Sequence, residues 1–247
     1  MEFKEKLVTG ISIAAFCISV FSTVSGQMNS TDERKRTVRS QLTDVLGKLS
    51  ILQLDAIKLQ REAKGDDQHL QQIKEVLGQQ NGFLIDQAVF LSDQIPSLTT
   101  TYELNTIALA NANAGNFLVA EKYYKRAAEI APTNLYKSMA LRSYAAFLYP
   151  QARIQEGRQL FRQAIDTLKG EDNLVRFTNG LTYQLWAVQE LNFAHSMEKA
   201  KEYFETARRE YSTIDAELTR KNALASLDSV RSQFGLPQDP NPGLQAQ

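Results

Sequence analysis

The sequence predicts an all-α fold: a helical hairpin, about three helix-turn-helix repeats and a C-terminal capping helix, preceded by one N-terminal transmembrane helix. Three observations carry that expectation. Ala, Leu, Gln, Glu, Lys and Arg dominate, while 12 Gly and 6 Pro are spread thinly over 247 residues, so intrinsic propensity favours helix along most of the chain. Apolar residues recur at steps of three and four rather than in alternation, which is the helical period. β-branched residues rarely run together, which removes the commonest strand signal. Hydrophobic residues make up 43% of the chain, enough to build a core and too many for a disordered polymer. Twenty-eight Lys and Arg balance 28 Asp and Glu without a long block of either sign, so no nucleic-acid partner is expected.

Residues 7–24 form an uncharged run of 18, LVTGISIAAFCISVFSTV. As a helix it would span ~27 Å at about 1.5 Å per residue, enough for a bilayer core. Thr9, Ser12, Ser19, Ser22 and Thr23 dilute it, but their hydroxyls can bond back to helix carbonyls and are tolerated in lipid. The expected reading is a membrane anchor and polar link over residues 1–30, with the lipid bilayer as partner through residues 7–24. Two other readings stay open. One is a buried core helix. The other is a cleavable signal peptide with Lys4 and Lys6 in its n-region and a small-residue site near Gly26, which would export the protein. Glu2 and Glu5 in that n-region, and the length of the run, weigh against a signal peptide. Arg34, Lys35, Arg36 and Arg39 behind the run outnumber Lys4 and Lys6 before it, so the positive-inside rule expects a cytoplasmic body on a single-pass membrane protein. Cys17 is the single cysteine and has no intramolecular disulfide partner. The bulky Phe16 before it resembles a lipoprotein attachment site poorly.

The next expected unit is an antiparallel helical hairpin over residues 31–96. Val38, Leu42, Val45, Leu49, Leu52, Ala56 and Leu59 alternate steps of 4 and 3, a heptad rhythm. Gly65 breaks the pattern and Asp66 or Asp67 supplies an N-cap. Leu70, Ile73, Leu77, Leu84 and Leu91 then continue a second seam, with Gln80 and Gln87 at intervening positions. A coiled coil that dimerises the chain through residues 38–59 is the competing reading. The short turn between the seams favours packing within the chain, because closing a short loop costs little entropy.

A repeat domain with its capping helix is expected over residues 97–235. Ala120-Tyr124-Ala127, Gly157-Phe161-Ala164 and Ala200-Phe204-Ala207 share one pattern of small residue, aromatic and alanine. Upstream of each, Ala108, Ala145 and Ala187 follow bulky residues on an apolar helix. This pattern resembles the tetratricopeptide repeat over roughly residues 101–212, in which small residues let antiparallel helices approach and the ring fills the gap to the next repeat. Gly115-Asn116 at a helix turn and Pro132 at the close make the first repeat the best match. The spacing between matching small residues stretches to 37 (Ala120 to Gly157) and then 43 (Gly157 to Ala200). The second repeat turns at Pro150, the third carries an extra residue near Ala194-His195, and neither has a closing proline. If Gly157 is a close-contact position, Gly157→Leu is expected to overpack and Gly157→Ala to stabilise by relieving a helix-weakening glycine. Residues 214–234 read as the capping helix, ended by Gly235 and Pro237, and 236–247 as a disordered Pro-rich tail.

No catalytic constellation, cofactor site or metal site is expected. His69 and His195 lie on different hairpins without ligand-spaced neighbours, and no phosphate loop, nucleophile elbow or paired-cysteine motif is present. Glu121 and Lys125 at i, i+4 read as a solvated ion pair, and Trp186 with the tyrosines as core. The resemblance implies a binding groove lined by the first helix of each repeat. Carried over position by position, it would comprise Tyr102, Asn105, Leu109 and Asn113, then Arg142, Ala146 and Tyr149, then Gln184, Val188 and Asn192. The Lys and Asn set with which chaperone-binding members grip a free C-terminal carboxylate is not reproduced. The expected function is therefore a membrane-anchored scaffold or adaptor for a protein or peptide partner, not an enzyme. The alternative is a self-associating spacer or homo-oligomeric platform built on residues 38–59.

Overall fold

The computed structural model describes residues 31–62 and 67–236. Among them the chain forms nine α-helices and one 3-10 turn, with no strand. The expected anchor in residues 1–30, the Gly65-Asp66 turn and residues 237–247 lie outside the described residues, as do the side chains of Ala56, Leu59, His69, Leu70 and Ile73. No described helix is long and apolar enough to cross a membrane. The described chain divides into two compact units, one running to Thr99 and including Asn113–Asn116, the other holding Thr100–Ala112 and everything from Phe117 onward.

The first unit is a helical hairpin of α1 (Thr31–Glu62) and α2 (Asp67–Gln94), packed on each other. Asp32 and Glu33 occupy the first turn of α1, where the helix dipole favours negative charge. Val38, Leu42, Val45, Leu49 and Leu52 are all buried, together with Leu84, Ile85, Ala88 and Leu91 of α2. The described part of the heptad seam is thus already covered within one chain, and the same side chains are not on offer to a second copy. Pro96 cannot continue α2, and the chain turns with the Leu98 and Thr99 N–H groups donating to the Ile95 carbonyl at 2.9 and 3.2 Å.

The second unit comprises α3 (Thr101–Asn113), α4 (Phe117–Glu129), α5 (Asn134–Leu148), a 3-10 turn (Tyr149–Gln151), α6 (Ile154–Thr167), α7 (Asn173–Asn192), α8 (Met197–Ser212) and α9 (Glu217–Gln233). Side chains start these helices. The Thr100 N–H donates to Glu103 Oε2 at 2.8 Å while the Glu103 N–H donates to Thr100 Oγ1 at 3.3 Å, a reciprocal capping box. Asp172 accepts from the Leu174 and Val175 N–H groups at 2.9 and 3.0 Å, satisfying two otherwise orphaned donors of α7. Gly115 at φ +82° and Gly235 at φ +66° supply left-handed residues where α3 and α9 end.

Every position of the small-aromatic-alanine pattern is buried, including the upstream Ala108, Ala145 and Ala187. Each aromatic on a second helix packs forward. Tyr124 of α4 lies 5.0 Å from the Phe147 ring of α5, and Phe161 of α6 stacks on Trp186 of α7 at 5.2 Å. Phe204 of α8 shares a core with Ala223 and Leu227 of α9, so the last helix covers the face that a further hairpin would otherwise cover. The stretched spacing arises because the first helices lengthen from 13 to 15 to 20 residues. The growth is at their front ends, which leaves the packing triplets in register. Leu236, the first residue of the expected tail, is buried in the core with Phe204 and Leu227.

Gly157 departs from expectation. A Cβ added there would meet the Tyr149 ring at 2.6 and 2.7 Å and the Ala145 carbonyl oxygen at 3.1 Å. Gly180 on α7 repeats the device, since its added Cβ would meet the Tyr211 ring. In both places a tyrosine ring occupies the space that a side chain on the facing helix would fill. Alanine is therefore no relief at Gly157, although the equivalent positions Ala120 and Ala200 carry it.

Candidate functional site

The ten residues expected to line a groove are placed as follows. On α3, Tyr102 and Leu109 are 73% and 51% exposed, Asn113 is also exposed, and Asn105 is half-buried with an Oδ1 that accepts no hydrogen bond. Arg142 and Ala146 on α5 and Gln184 and Val188 on α7 are half-buried, and Asn192 near the end of α7 is exposed. Helices α5 and α7 contact each other, which brings Arg142 and its neighbours to α7.

Tyr149 is different: it is buried, with 1% exposure. Helix α5 stops at Leu148, Pro150 fixes a 3-10 turn, and Ala152 at φ 60° closes it with its N–H on the Tyr149 carbonyl. The turn brings Gly157 back over the Tyr149 ring, which lies in the core and is unavailable to a ligand. Tyr149 itself keeps helical backbone angles (φ -62°, ψ -49°) and stands four residues after buried Ala145, so helical spacing sets it on the core stripe of α5 rather than on the open one.

The Tyr149 hydroxyl instead donates to Glu190 Oε1 at 2.8 Å and accepts from Trp186 Nε1 at 2.8 Å. Glu190 also receives Arg158 Nε and Nη2 at 2.8 and 2.6 Å and Trp186 Nε1 at 3.1 Å. The Glu190 side chain is 0% exposed and that of Arg158 is 14% exposed. Burial pushes the Glu190 carboxyl up, but hydrogen bonds from Arg158 and Tyr149 outweigh it and hold the group below its ordinary value. Burial likewise raises the Tyr149 phenol. Around this network Phe161, Trp186 and Tyr203 stack, the last pair at 4.1 Å. The arrangement ties α5, α6 and α7 together and fixes the face that α5 and α7 present.

A second network joins α4 to the start of α6. Arg153 Nη1 and Nη2 donate to Glu121 at 2.7 and 3.1 Å, the Tyr144 hydroxyl donates to the same carboxylate at 2.5 Å, and Lys125 sits 2.9 Å away. Glu121 is thus far more engaged than a solvated i, i+4 pair, with only 16% of its side chain exposed. Chiefly through the Arg153 hydrogen bonds, its carboxyl is lowered from 4.5 to about 2. A carboxyl depressed in the folded state contributes stability that is complete above its unfolded value and is lost as pH falls through its folded one. Denaturation of the full chain should therefore show stability falling between pH 4.5 and about 2. Glu121→Gln should be less stable at neutral pH and show a flatter decline over that window, whereas an unchanged slope would mean that the network is open to water.

Arg142 has no such partner. Its Nη1 reaches the Thr178 carbonyl and Thr182 Oγ1, each at 3.5 Å, the outer limit for a hydrogen bond. No described carboxylate pairs with it, whereas Arg153, Arg158 and Arg208 each hold one. Burial pushes the Arg142 guanidinium down from its ordinary value. The Tyr211 ring is near enough to act on it electrostatically, and the Tyr211 hydroxyl donates to Gln184 Oε1 at 2.9 Å. Thr178 and Thr182 are buried behind it.

Neither the Glu190–Arg158 network nor the Gly180–Tyr211 contact was legible from residue spacing, since the partners stand 32 and 31 positions apart. The capping box at Thr100–Glu103 did carry a local signal, a threonine followed three residues later by glutamate. Among the described residues no three His, Cys, Asp or Glu side chains converge as a metal site would require. Comparison with protein-family models, with curated proteins and with solved structures returned no match.

Proposed function

We propose that this chain is a membrane-anchored scaffold whose tetratricopeptide-like hairpins bind a protein or peptide partner on the face of their first helices. The observation that carries this reading is the division of labour between helices. The pattern residues of the second helices, Tyr124, Phe161 and Phe204 with their small neighbours, are consumed in the core. The first helices keep Tyr102 and Leu109 exposed and Arg142, Ala146, Gln184 and Val188 half-open. Such a mixture of apolar, aromatic and polar groups on a rigid helical stack suits recognition of a segment of another protein. On this reading residues 7–24 hold the scaffold at a bilayer with its body on the cytoplasmic side, and binding rather than catalysis is its role. Self-association through residues 38–59 draws less support, because Val38 to Leu52 of that seam are buried against α2.

A proteomic pull-down with the full chain tests the proposal. Arg142→Glu and Tyr102→Ala should each lose partners that the unaltered chain retains, while Gln163→Ala on the exposed side of α6 should lose none. Equal recovery by all of these proteins would refute the assignment of the binding face.

A further inference from the structure

We infer that the α5–α7 face takes an acidic segment of its protein partner, with one Asp or Glu carboxylate seated on the Arg142 guanidinium; the inference rests on the binding reading above. A guanidinium carries five N–H donors in a planar fork matched to a carboxylate. Arg142 uses one nitrogen, Nη1, and both of its bonds are at 3.5 Å. The group is half-buried against Thr178 and Thr182, so it has given up part of its hydration without gaining a short bond or a counter-charge. A charge in that position costs free energy unless something pairs with it. Within the repeats three other half-buried arginines hold a carboxylate, Arg153 on Glu121, Arg158 on Glu190 and Arg208 on Asp228, while Arg176 is seated on the Thr213 carbonyl. Arg142 lacks only the anion.

The surroundings specify what kind of anion. Met139 and Ala146 flank Arg142 on α5, about one helical turn to either side, both partly open. These apolar neighbours lower the local dielectric and strengthen a charge-assisted bond. Gln184 is fixed by Tyr211 through its Oε1, which leaves its amide nitrogen as a further donor at the same face. Lys137 is exposed and near the start of α5, and Arg176 of α7 is occupied by the Thr213 carbonyl. A single cation balances one carboxylate better than a doubly charged phosphate. The fitting ligand is therefore a segment in which one Asp or Glu sits among apolar residues.

Selection of a phage-displayed library of random dodecapeptides on the full chain in detergent micelles tests this. Enriched peptides should share an Asp or Glu beside apolar residues, and a synthetic copy with that acid changed to its amide should bind about tenfold or more weakly. Selection on Arg142→Gln should lose the acidic preference, and Arg142→Lys should retain part of it. The melting temperature of Arg142→Gln should equal or exceed that of the unaltered chain, because no short bond is removed. Peptides enriched without an acid, or unchanged by Arg142→Gln, would overturn the inference and leave peptide binding standing. Failure to enrich any peptide would overturn both. Acidic peptides that gain affinity when residues 237–247 are removed would assign the site to the chain's own Asp239 and overturn an external occupant.

Discussion

Glu190→Ala is expected to destabilise the repeat unit by about 3–5 kcal/mol, the usual consequence of removing one partner of a buried ion pair. The loss has a specific source. With Glu190 gone, Arg158 loses bonds of 2.8 and 2.6 Å, and the Tyr149 hydroxyl loses its acceptor. Water cannot readily replace these bonds, because the Glu190 side chain is fully enclosed and Tyr149 nearly so. The pairing also predicts how the damage is repaired. Combining Glu190→Leu with Arg158→Met removes both charges, and apolar replacements of similar volume are often neutral or even stabilising. Chemical denaturation of the full chain, followed through Trp186 fluorescence, should therefore show the double variant to be more stable than Glu190→Ala. A Glu190→Ala loss below about 1 kcal/mol would place the carboxylate in the surface class.

Gly157→Ala is expected to destabilise, and Gly157→Leu to do so more severely. Helix propensity alone favours alanine over glycine by roughly 1 kcal/mol. Against that stands the Tyr149 ring 2.6 Å from the new Cβ, closer than a carbon atom can be placed without movement. The ring has little freedom to retreat. Its hydroxyl is held at 2.8 Å by both Glu190 and Trp186, and its edge meets Phe161 at 5.9 Å between centroids. Overpacking of this kind typically costs about 1–3 kcal/mol, which outweighs the propensity gain. Thermal melts should order the proteins as unaltered, then Ala, then Leu. In a Tyr149→Leu background the loss caused by Gly157→Ala should be smaller than in the unaltered chain. Stabilisation by Gly157→Ala would mean that the ring is free to swing away.

These two residues mark the boundary of what the sequence made legible. The triplets around Tyr124, Phe161 and Phe204 could be found because helix packing repeats a local spacing, and spacing is visible in one dimension. The heptad seam from Val38 to Leu52 was visible for the same reason, as were Gly115 and Gly235, whose positive φ angles suit glycine at helix ends. Tyr149 was misplaced because it follows Arg142 by seven residues and Ala145 by four, and its helical backbone angles set it with the buried Ala145 rather than with the half-open Arg142. Gly157 was correctly read as a close contact, but the identity of its neighbour decides the sign of a substitution, and that neighbour lies beyond the helix. Arg142 and Arg158 are alike in composition terms. One finds Glu190 at 2.6 Å and the other finds only two long bonds, a distinction that only three-dimensional placement draws.

The central claim, that the first helices of the hairpins form the binding face, is tested most directly by site-specific photocrosslinking in cells. A benzophenone amino acid would be placed in the full chain at Tyr102, Leu109 or Gln184, and for comparison at Gln163 or Glu205 on the exposed sides of α6 and α8. The account predicts crosslinks to a common partner protein from Tyr102, Leu109 and Gln184, and none to that partner from Gln163 or Glu205. Crosslinks confined to Gln163 and Glu205, or no partner at all from the first-helix positions, would contradict it.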